Sequence, residues 1–397
     1  MSRRTATATF FLLIVCAMLS LAGTDLVLPA VPELPRLFGS SEAAAQLVLA
    51  AYVGGCGLGL LLFGRLADHI ERKPLLLISL AAFALASLAC AHAPGIGALV
   101  ALRLVQGAAA AAAPVLGPGI IRQLFSDRGA VRAIGFLGST ESLVPALAPI
   151  AGAALLARYG WQSSFELLAA LALAALALLA LIGLPPQPRA VRARGDYRAL
   201  LTSPVFMRYA LSHAMTLGGL ITFVFGAPVV IIESMGGSLA DFIVMQVINV
   251  TGFIIAANLS ARAAERHGAE AIILAGTLLS AASGLALAAY GLAGGRDAGM
   301  LPWLFTPMAI GLGLRGPIGF YRGIVAAGDN NARGSALIIF FIFLMSTLGT
   351  VIAAPFITLG LGALALVASG IHLVSVALLL WLPAMERAAP GGGEHGS

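Results

Sequence analysis

Predominantly apolar stretches of about twenty residues recur from one end of this chain to the other, and the short connections between them gather most of its charge. A helix needs roughly 20 apolar residues to cross a hydrocarbon core of roughly 30 Å. Within lipid every backbone donor and acceptor must be satisfied by the protein itself, which leaves helices or closed barrels, and runs this long read as helices. With 60% hydrophobic and 10% charged residues among 397, too little polar surface remains to cover a soluble domain. The expected fold is an all-α polytopic membrane protein with spans near 7–33, 44–66, 73–92, 96–123, 131–157, 164–184, 204–232, 240–264, 270–293, 300–324, 333–358 and 361–384, twelve transmembrane helices in all.

Orientation follows from the connections, because Lys and Arg accumulate on the cytoplasmic side of a membrane. The N-terminus, alternate loops and C-terminal tail hold Arg3, Arg4, Arg65, Arg72, Lys73, Arg122, Arg128, Arg132, Arg189, Arg192, Arg194, Arg198, Arg262, Arg266, Arg322, Arg333 and Arg387. The opposite loops hold only Arg36, Arg158 and Arg296, so both termini are expected to be cytoplasmic. This asymmetry accounts for the net charge of +6, and it gives no reason to invoke a nucleic-acid partner. The connection 185–203, with Pro185, Pro186, Pro188 and several arginines, divides the spans six and six. The expected organisation is thus a first half over 1–184, a cytoplasmic linker over 185–203, a second half over 204–384 and a tail over 385–397. Parallel six-helix repeats place a substrate site at their interface near the bilayer midplane. Met1-Ser2-Arg3-Arg4 precedes an apolar run longer than a cleavable signal, which reads as a retained first helix. Cys16, Cys56 and Cys90 fall within spans, giving neither a disulfide framework nor metal-ligand spacing, and no cofactor or metal is expected.

Ionisable residues inside such spans are costly and demand a reason. Asp25 lies toward the outer part of helix 1, either as a proton carrier or as an outer-mouth residue in water or a static salt bridge. A desolvated carboxyl favours its neutral form, so it can load and release a proton near neutral pH. Arg103 in helix 4 is the clearest buried cation, with Gln106 and Gly107 on adjoining faces. Glu141, one turn before Pro145 in helix 5, is a second candidate carboxylate, unless it pairs with Arg122. Arg315, in the middle of helix 10, either faces the cavity and binds an anionic or zwitterionic substrate or pairs with an acid such as Glu141. Phe223, Phe225, Gln246, Asn249, Tyr321, Phe340, Phe341 and Phe343 could line an apolar pocket with a few polar contacts, although phenylalanines also face lipid or fill cores. Gly54, Gly55, Gly57, Gly59 and the alanine run 108–113 supply the small surfaces that let helices approach closely.

The loop 64–74 reads Gly-Arg-Leu-Ala-Asp-His-Ile-Glu-Arg-Lys-Pro. Its Gly64, Asp68, Arg72 and Lys73 resemble the signature between helices 2 and 3 of the major facilitator superfamily, with His69 where a basic residue is usual and Glu71 where a glycine is usual. Thr-Asp-Leu-Val-Leu-Pro-Ala-Val-Pro at 24–32, Leu-Arg-Leu-Val-Gln-Gly at 102–107 and Pro-Ala-Leu-Ala-Pro-Ile-Ala-Gly at 145–152 resemble its drug:proton antiporter branch, particularly the Bcr/CflA group. Gly160-Trp161 and Phe165 also fit, with Gln162 replacing an arginine between them. All these matches lie in the first half. The resemblance implies that Arg103 lies near the helix 1 acid and modulates its proton affinity. It implies that Pro145, Pro149 and Gly152 form a kinked, closely packed helix that controls leak. It also implies that Asp68 touches the start of helix 11 near Arg333 and Gly334, a conformational latch in which a helix N-terminus favours the carboxylate by roughly 0.3 to 1 kcal/mol. Otherwise the loop serves only to orient the chain.

The function these readings imply is a proton-coupled secondary active transporter of the bacterial inner membrane, exporting drugs or small amphipathic compounds by alternating access and working as a monomer. The alternative is export of a specific anionic or zwitterionic metabolite, such as a metal-chelating compound. An enzyme would need clustered nucleophiles, bases or metal ligands, and His69, His92, His213, His267, His372 and His395 are dispersed. A passive channel suits intramembrane carboxylates and paired halves less well than alternating access does.

Overall fold

The computed structural model describes residues 3–67, 69–125, 133, 136–137, 140–141, 143–182, 184 and 197–385. Among them there is no β-strand. The long helices are α1 (Arg3–Asp25), α2 (Glu42–Leu66), α3 (Arg72–Ala91), α4 (Ile96–Ala110, continued past Ala111 by Ala112–Leu124), α5 (Val144–Tyr159), α6 (Gln162–Leu181), α7 (Pro204–Val229), α8 (Leu239–His267), α9 (Ala269–Leu292), α10 (Leu301–Ala326), α11 (Asn331–Ala353) and α12 (Leu361–Trp381). Among the described residues ten helices are long and apolar enough to cross a membrane, against the twelve spans expected. The two that fall short of that standard are α5, apolar over only 16 residues, and α10, whose glycines, prolines, Arg315 and Arg322 dilute its hydropathy. Most of the expected helix over 131–157 before Val144, and most of the expected linker, lie outside the described residues.

The ends of these helices follow from their sequences. Helix α1 does not continue to residue 33 as expected but stops at Asp25, and Leu28–Glu33 forms a 3-10 turn. Pro29 and Pro32 lack the N–H that an α-helical ladder requires. Ser41 caps α2 by accepting from the Ala44 amide at 3.2 Å. Ser238 and Asp241 form a reciprocal capping box at the start of α8. Gly39, Gly160, Gly268 and Gly360 end helices or turns at positive φ, where a Cβ would be strained.

The same pairings recur in the helices before and after the stretch 185–196. Helix α2 packs on α4 and α3 on α6; later, α8 packs on α10 and α9 on α12. In the first set the α2–α4 contact is made backbone to backbone. A Cβ on Gly107 would lie 1.9 Å from the Tyr52 carbonyl oxygen, and one on Gly55 would lie 2.1 Å from that of Leu104. In the second set, a Cβ on Gly311 would meet the Gly276 carbonyl oxygen at 2.4 Å, where α10 crosses α9.

The two sets meet unevenly. Away from the termini, Leu28–Glu33 packs on α7, α2 packs on Ala354–Leu359 and along α11, and α5 packs on α8. One continuous apolar core crosses both sets there, from Leu28, Val31 and Leu49 to Phe223, Ile231 and Ile357. At the end bearing the termini, the second set buries clusters of its own, Phe206, Ala210, Ile338 and Ile342 in one and Tyr209, Ile273 and Leu379 in another. The bundle is therefore sealed at the end opposite the termini.

That terminal end of the second set is tied by the ion pair of Arg208 with Glu270, Nη2 to Oε2 at 2.9 Å. Arg208 Nη1 also donates to the carbonyls of Leu379 and Leu382. Tyr209 donates to Glu270 Oε1 at 2.5 Å and accepts from the Met385 amide at 3.0 Å. One arginine and one tyrosine thus join α7, α9 and the end of α12.

Two stability measurements test this packing. Gly107→Val drives a side chain into the α2 backbone and is expected to destabilise by at least the ~1 to 3 kcal/mol typical of overpacking. Gly64→Ala, with nothing within 4 Å, should leave the melting temperature in detergent unchanged. Glu270→Gln strands Arg208, and the expected loss is roughly 1 to 3 kcal/mol, below the figure for a fully buried pair because 33% of the Glu270 side chain is exposed. Loss of the α12 end from protease protection would report the same event.

Candidate coupling site at the end of the first helix

Arg103 is 0% exposed and makes no ion pair among the described residues. Its charge is met by oxygens and a ring instead. Nε donates to the Val48 carbonyl at 3.1 Å on α2, and Nη1 to the Gly23 carbonyl at 2.8 Å on α1 and to Gln106 Oε1 at 2.7 Å one turn along α4. The guanidinium carbon lies 4.1 Å from the centre of the Tyr52 ring and 5.8 Å from that of Phe165, an arrangement that favours a cation over the π face. Gln106 passes the network on through Nε2 to Ser87 Oγ at 2.7 Å on α3, and Ser87 donates to the Phe83 carbonyl at 2.6 Å. Tyr52 donates to the Ser20 carbonyl at 2.7 Å. Four helices of the first set are thereby joined at one guanidinium.

The end of α1 is held from two sides. Arg103 takes the Gly23 carbonyl, and Ser164 on α6 donates to the Leu26 carbonyl at 3.0 Å. Gly152 makes room for that second grip, because a Cβ there would lie 2.2 Å from the Leu26 oxygen. Between the two fixed carbonyls sits Asp25, half-buried, the last residue of α1. It makes no ion pair among the described residues, and Arg103 reaches the main chain beside it rather than its carboxyl group. Arg103 thus clamps the backbone beside Asp25. Pro145 opens α5 and Pro149 lies inside it, so the motif 145–152 delivers Gly152 to the end of α1. Glu141 is half-buried, without an ion pair among the described residues, and the Arg122 side chain lies outside them.

Arg315 is likewise 0% exposed, and neither expected alternative holds for it. It meets neither Glu141 nor an open cavity. Nη1 donates to the Ser212 carbonyl and to Thr216 Oγ1, both at 2.6 Å, and Nη2 to Ser212 Oγ at 3.1 Å. Ser375 on α12 closes the cluster, donating to the Ser212 carbonyl at 2.8 Å and lying 2.9 Å from Thr216 Oγ1.

The remaining candidates separate by burial. Phe223 is fully buried and stacks on Phe305 at 4.7 Å, and Phe225 is 4% exposed, so both fill the sealed core. Gln246 and Asn249, 3% and 5% exposed on α8, each keep an unpaired side-chain carbonyl oxygen. Phe340 packs beside Phe341 and approaches Gly57 across the seam. Tyr321 is 65% exposed near the terminal-bearing end of α10. In the loop, Gly64 has open space, Arg72 donates to Gln123 Oε1 at 2.9 Å and Lys73 to the Ala180 carbonyl at 3.0 Å, all within the first set. Gly334 packs on Ala327 and Phe206 of its own set, and Asp68 lies outside the described residues. Tyr52, Ser87 and Ser164 were not singled out in the sequence, since an isolated tyrosine or serine in an apolar run carries no spacing signal.

The backbone is similar to that of a D-xylose-proton symporter, with a TM-score of 0.71 over 95% of this chain and 97% of that one at 18% identity. It is also similar to the human organic anion transporter MFSD10, at 0.66 over 94% and 99%, again with 18% identity. These likenesses concern the fold. In sequence, the chain is 29% identical over 279 residues to a chloramphenicol resistance protein of Pseudomonas aeruginosa, 69% of this chain and 66% of that protein. It is 28% identical over 219 residues to the multidrug resistance protein MdtL of Klebsiella pneumoniae, covering 54% and 56%, and 33% identical over 251 residues to the uncharacterized MFS-type transporter YdgK of Bacillus subtilis, covering 61% and 62%. The chain thus spans between half and two thirds of the length of these curated relatives. Residues 13–354 match the sequence pattern of the Major Facilitator Superfamily, with the helix pairings already described, and the chain belongs to that superfamily.

Proposed function

We propose that the chain is a proton-coupled secondary active transporter that exports small amphipathic compounds across a bacterial inner membrane by alternating access. The halves 1–184 and 204–384 move about the linker 185–203, with both termini and the tail 385–397 in the cytoplasm. The sealed end then faces outward, and substrate enters from the cytoplasm. The observation that carries this proposal is Asp25, an acid without an ion pair on a helix end fixed by Arg103 and Ser164. A carboxyl so placed can exchange a proton without first breaking a salt bridge, while its position stays fixed by the main chain. Resistance proteins among the relatives support a drug-like substrate.

Of the side chains considered for substrate, Gln246, Asn249 and Phe340 are the ones left with unpaired oxygens or a place at the seam. Gln106 and Arg315 are committed to bonds with neighbouring helices of their own sets, which disfavours a dedicated anion exporter built on Arg315. Arg72 and Lys73 brace the first half, leaving Asp68 as the candidate latch. The protein is expected to work as a monomer.

Asp25→Asn in proteoliposomes tests the central claim. Efflux driven by an imposed pH gradient should fall by about tenfold or more, over ~1.4 kcal/mol in barrier, while substrate affinity measured without a gradient is retained. Undiminished gradient-driven efflux would remove Asp25 as the proton carrier.

A further inference from the structure

The seal at the end opposite the termini is largely apolar, yet along the packing of α2 with α11 and its continuation each side brings a buried polar atom that has no partner among the described residues. Gln46 on α2 is 2% exposed, and its Nε2 donates to nothing. Gln46, Ala50, Gly54 and Gly57 follow the helical spacing that puts them on one face. That face meets α11: a Cβ on Gly54 would lie 3.2 Å from Thr347 Cγ2, and one on Gly57 would lie 3.3 Å from Phe343 Cβ. Gln46 stands two turns further toward the sealed end, where α2 packs on Ala354–Leu359.

Thr347 is the second group, its Oγ1 buried and unpaired. Its neighbours behave differently. Ser346 donates to the Ile342 carbonyl and Thr350 to that of Ser346, each at 2.8 Å, in the usual bond to the preceding turn. Thr347 instead turns its side chain toward Gly54 across the seam, with Oγ1 3.4 Å from the position of a Cβ there.

A buried polar group without a partner disfavours the state that buries it, whereas water satisfies the same group once the seam parts. We propose that Gln46 and Thr347 are polar counterweights in an otherwise apolar seal, setting how readily the end opposite the termini opens. Apolar contacts such as Leu28, Val31 and Ile357 favour closure, and the two unpaired groups oppose it. A seal without them would stay closed and hold the transporter in one state. The proposal rests on alternating access.

Its test is a distance measurement by pulsed electron paramagnetic resonance in liposomes. Spin labels go at Leu37→Cys and Met300→Cys, exposed positions on the two sets at that end, the native Cys16, Cys56 and Cys90 being buried. Thr347→Val and Gln46→Leu keep side-chain volume while removing the polar atoms. Each is expected to raise the ratio of short to long distances about fivefold or more, and the double variant further. Ser346→Ala, which removes a hydroxyl already bonded within its own helix, should leave the ratio unchanged. Two populations whose ratio does not move in Thr347→Val or in the double variant would overturn the proposal and leave alternating access standing. A single fixed distance in every variant, at every pH and with or without substrate, would overturn both. If Gln46→Leu does not fold, Thr347→Val alone decides.

Discussion

A guanidinium buried among apolar helices costs several kcal/mol unless its charge and its N–H groups are satisfied. Arg103 is met without an ion pair among the described residues, by the Gly23 and Val48 carbonyls, the Gln106 amide oxygen and the face of Tyr52, with Nη2 alone left unpartnered. That solution requires main chain from α1 and α2 to come within hydrogen-bond distance of a side chain on α4. It exists because Gly55 and Gly107 let α2 and α4 touch backbone to backbone, which no side chain at either position would permit. Once the carbonyls are fixed, so is the end of α1, and with it the Cα of Asp25. The acid keeps its place through a cation that bonds the main chain and makes no ion pair with it, so its position is set apart from its charge, as the proposed proton carrier requires.

The second set repeats the pairings but not the depth of the cation. Arg103 follows Ile96 by about two turns, whereas Arg315 follows Leu301 by about four, roughly 10 Å deeper into its helix. Arg315 also reaches carbonyl and hydroxyl oxygens on the first helix of its own set, Ser212 and Thr216, with Ser375 closing the cluster. Where Asp25 ends α1 half-buried, α7 passes into a π turn over Val230–Ser234 whose acid, Glu233, is exposed. The same physical solution therefore stiffens both sets, while the carboxyl it frees belongs to one of them.

The fold and the membership in the superfamily were legible because both are written in features that recur: apolar windows of membrane length, loops of one charge sign, and a loop motif at 64–74. The resemblance at 145–152 implies a closely packed helix, and in the structure Gly152 is where α5 approaches the chain after Asp25. Partners were not legible. Arg103 and Arg315 stand out as charges, but a carbonyl acceptor has no letter in the sequence, so the sequence offers a nearby acid for Arg103 and either a substrate or an acid for Arg315. Phe223 and Phe225 looked like pocket residues because an aromatic stripe is the same whether it faces a cavity or, as here, a sealed core. Proline placement was read as a kink in α5, yet Pro29 and Pro32 just as plainly end α1, and the long first window hid that boundary.

The glycines divide by what they touch, and the division separates rigid from movable parts. Within the first set, Gly55, Gly107 and Gly152 face carbonyl oxygens at distances that leave a Cβ no room. Such contacts cannot slide, since backbone on both sides would have to shift together. Across the seam, Gly54 and Gly57 face the side chains of Thr347 and Phe343 at 3.2 and 3.3 Å, close but yielding. Side chains can change rotamer as the helices part, and the apolar area they cover is regained on closure. Under the proposed alternating access, helices locked by backbone contact and joined across the seam by side-chain contact would move as bodies, with the change concentrated at the α2–α11 seam rather than spread through the first set.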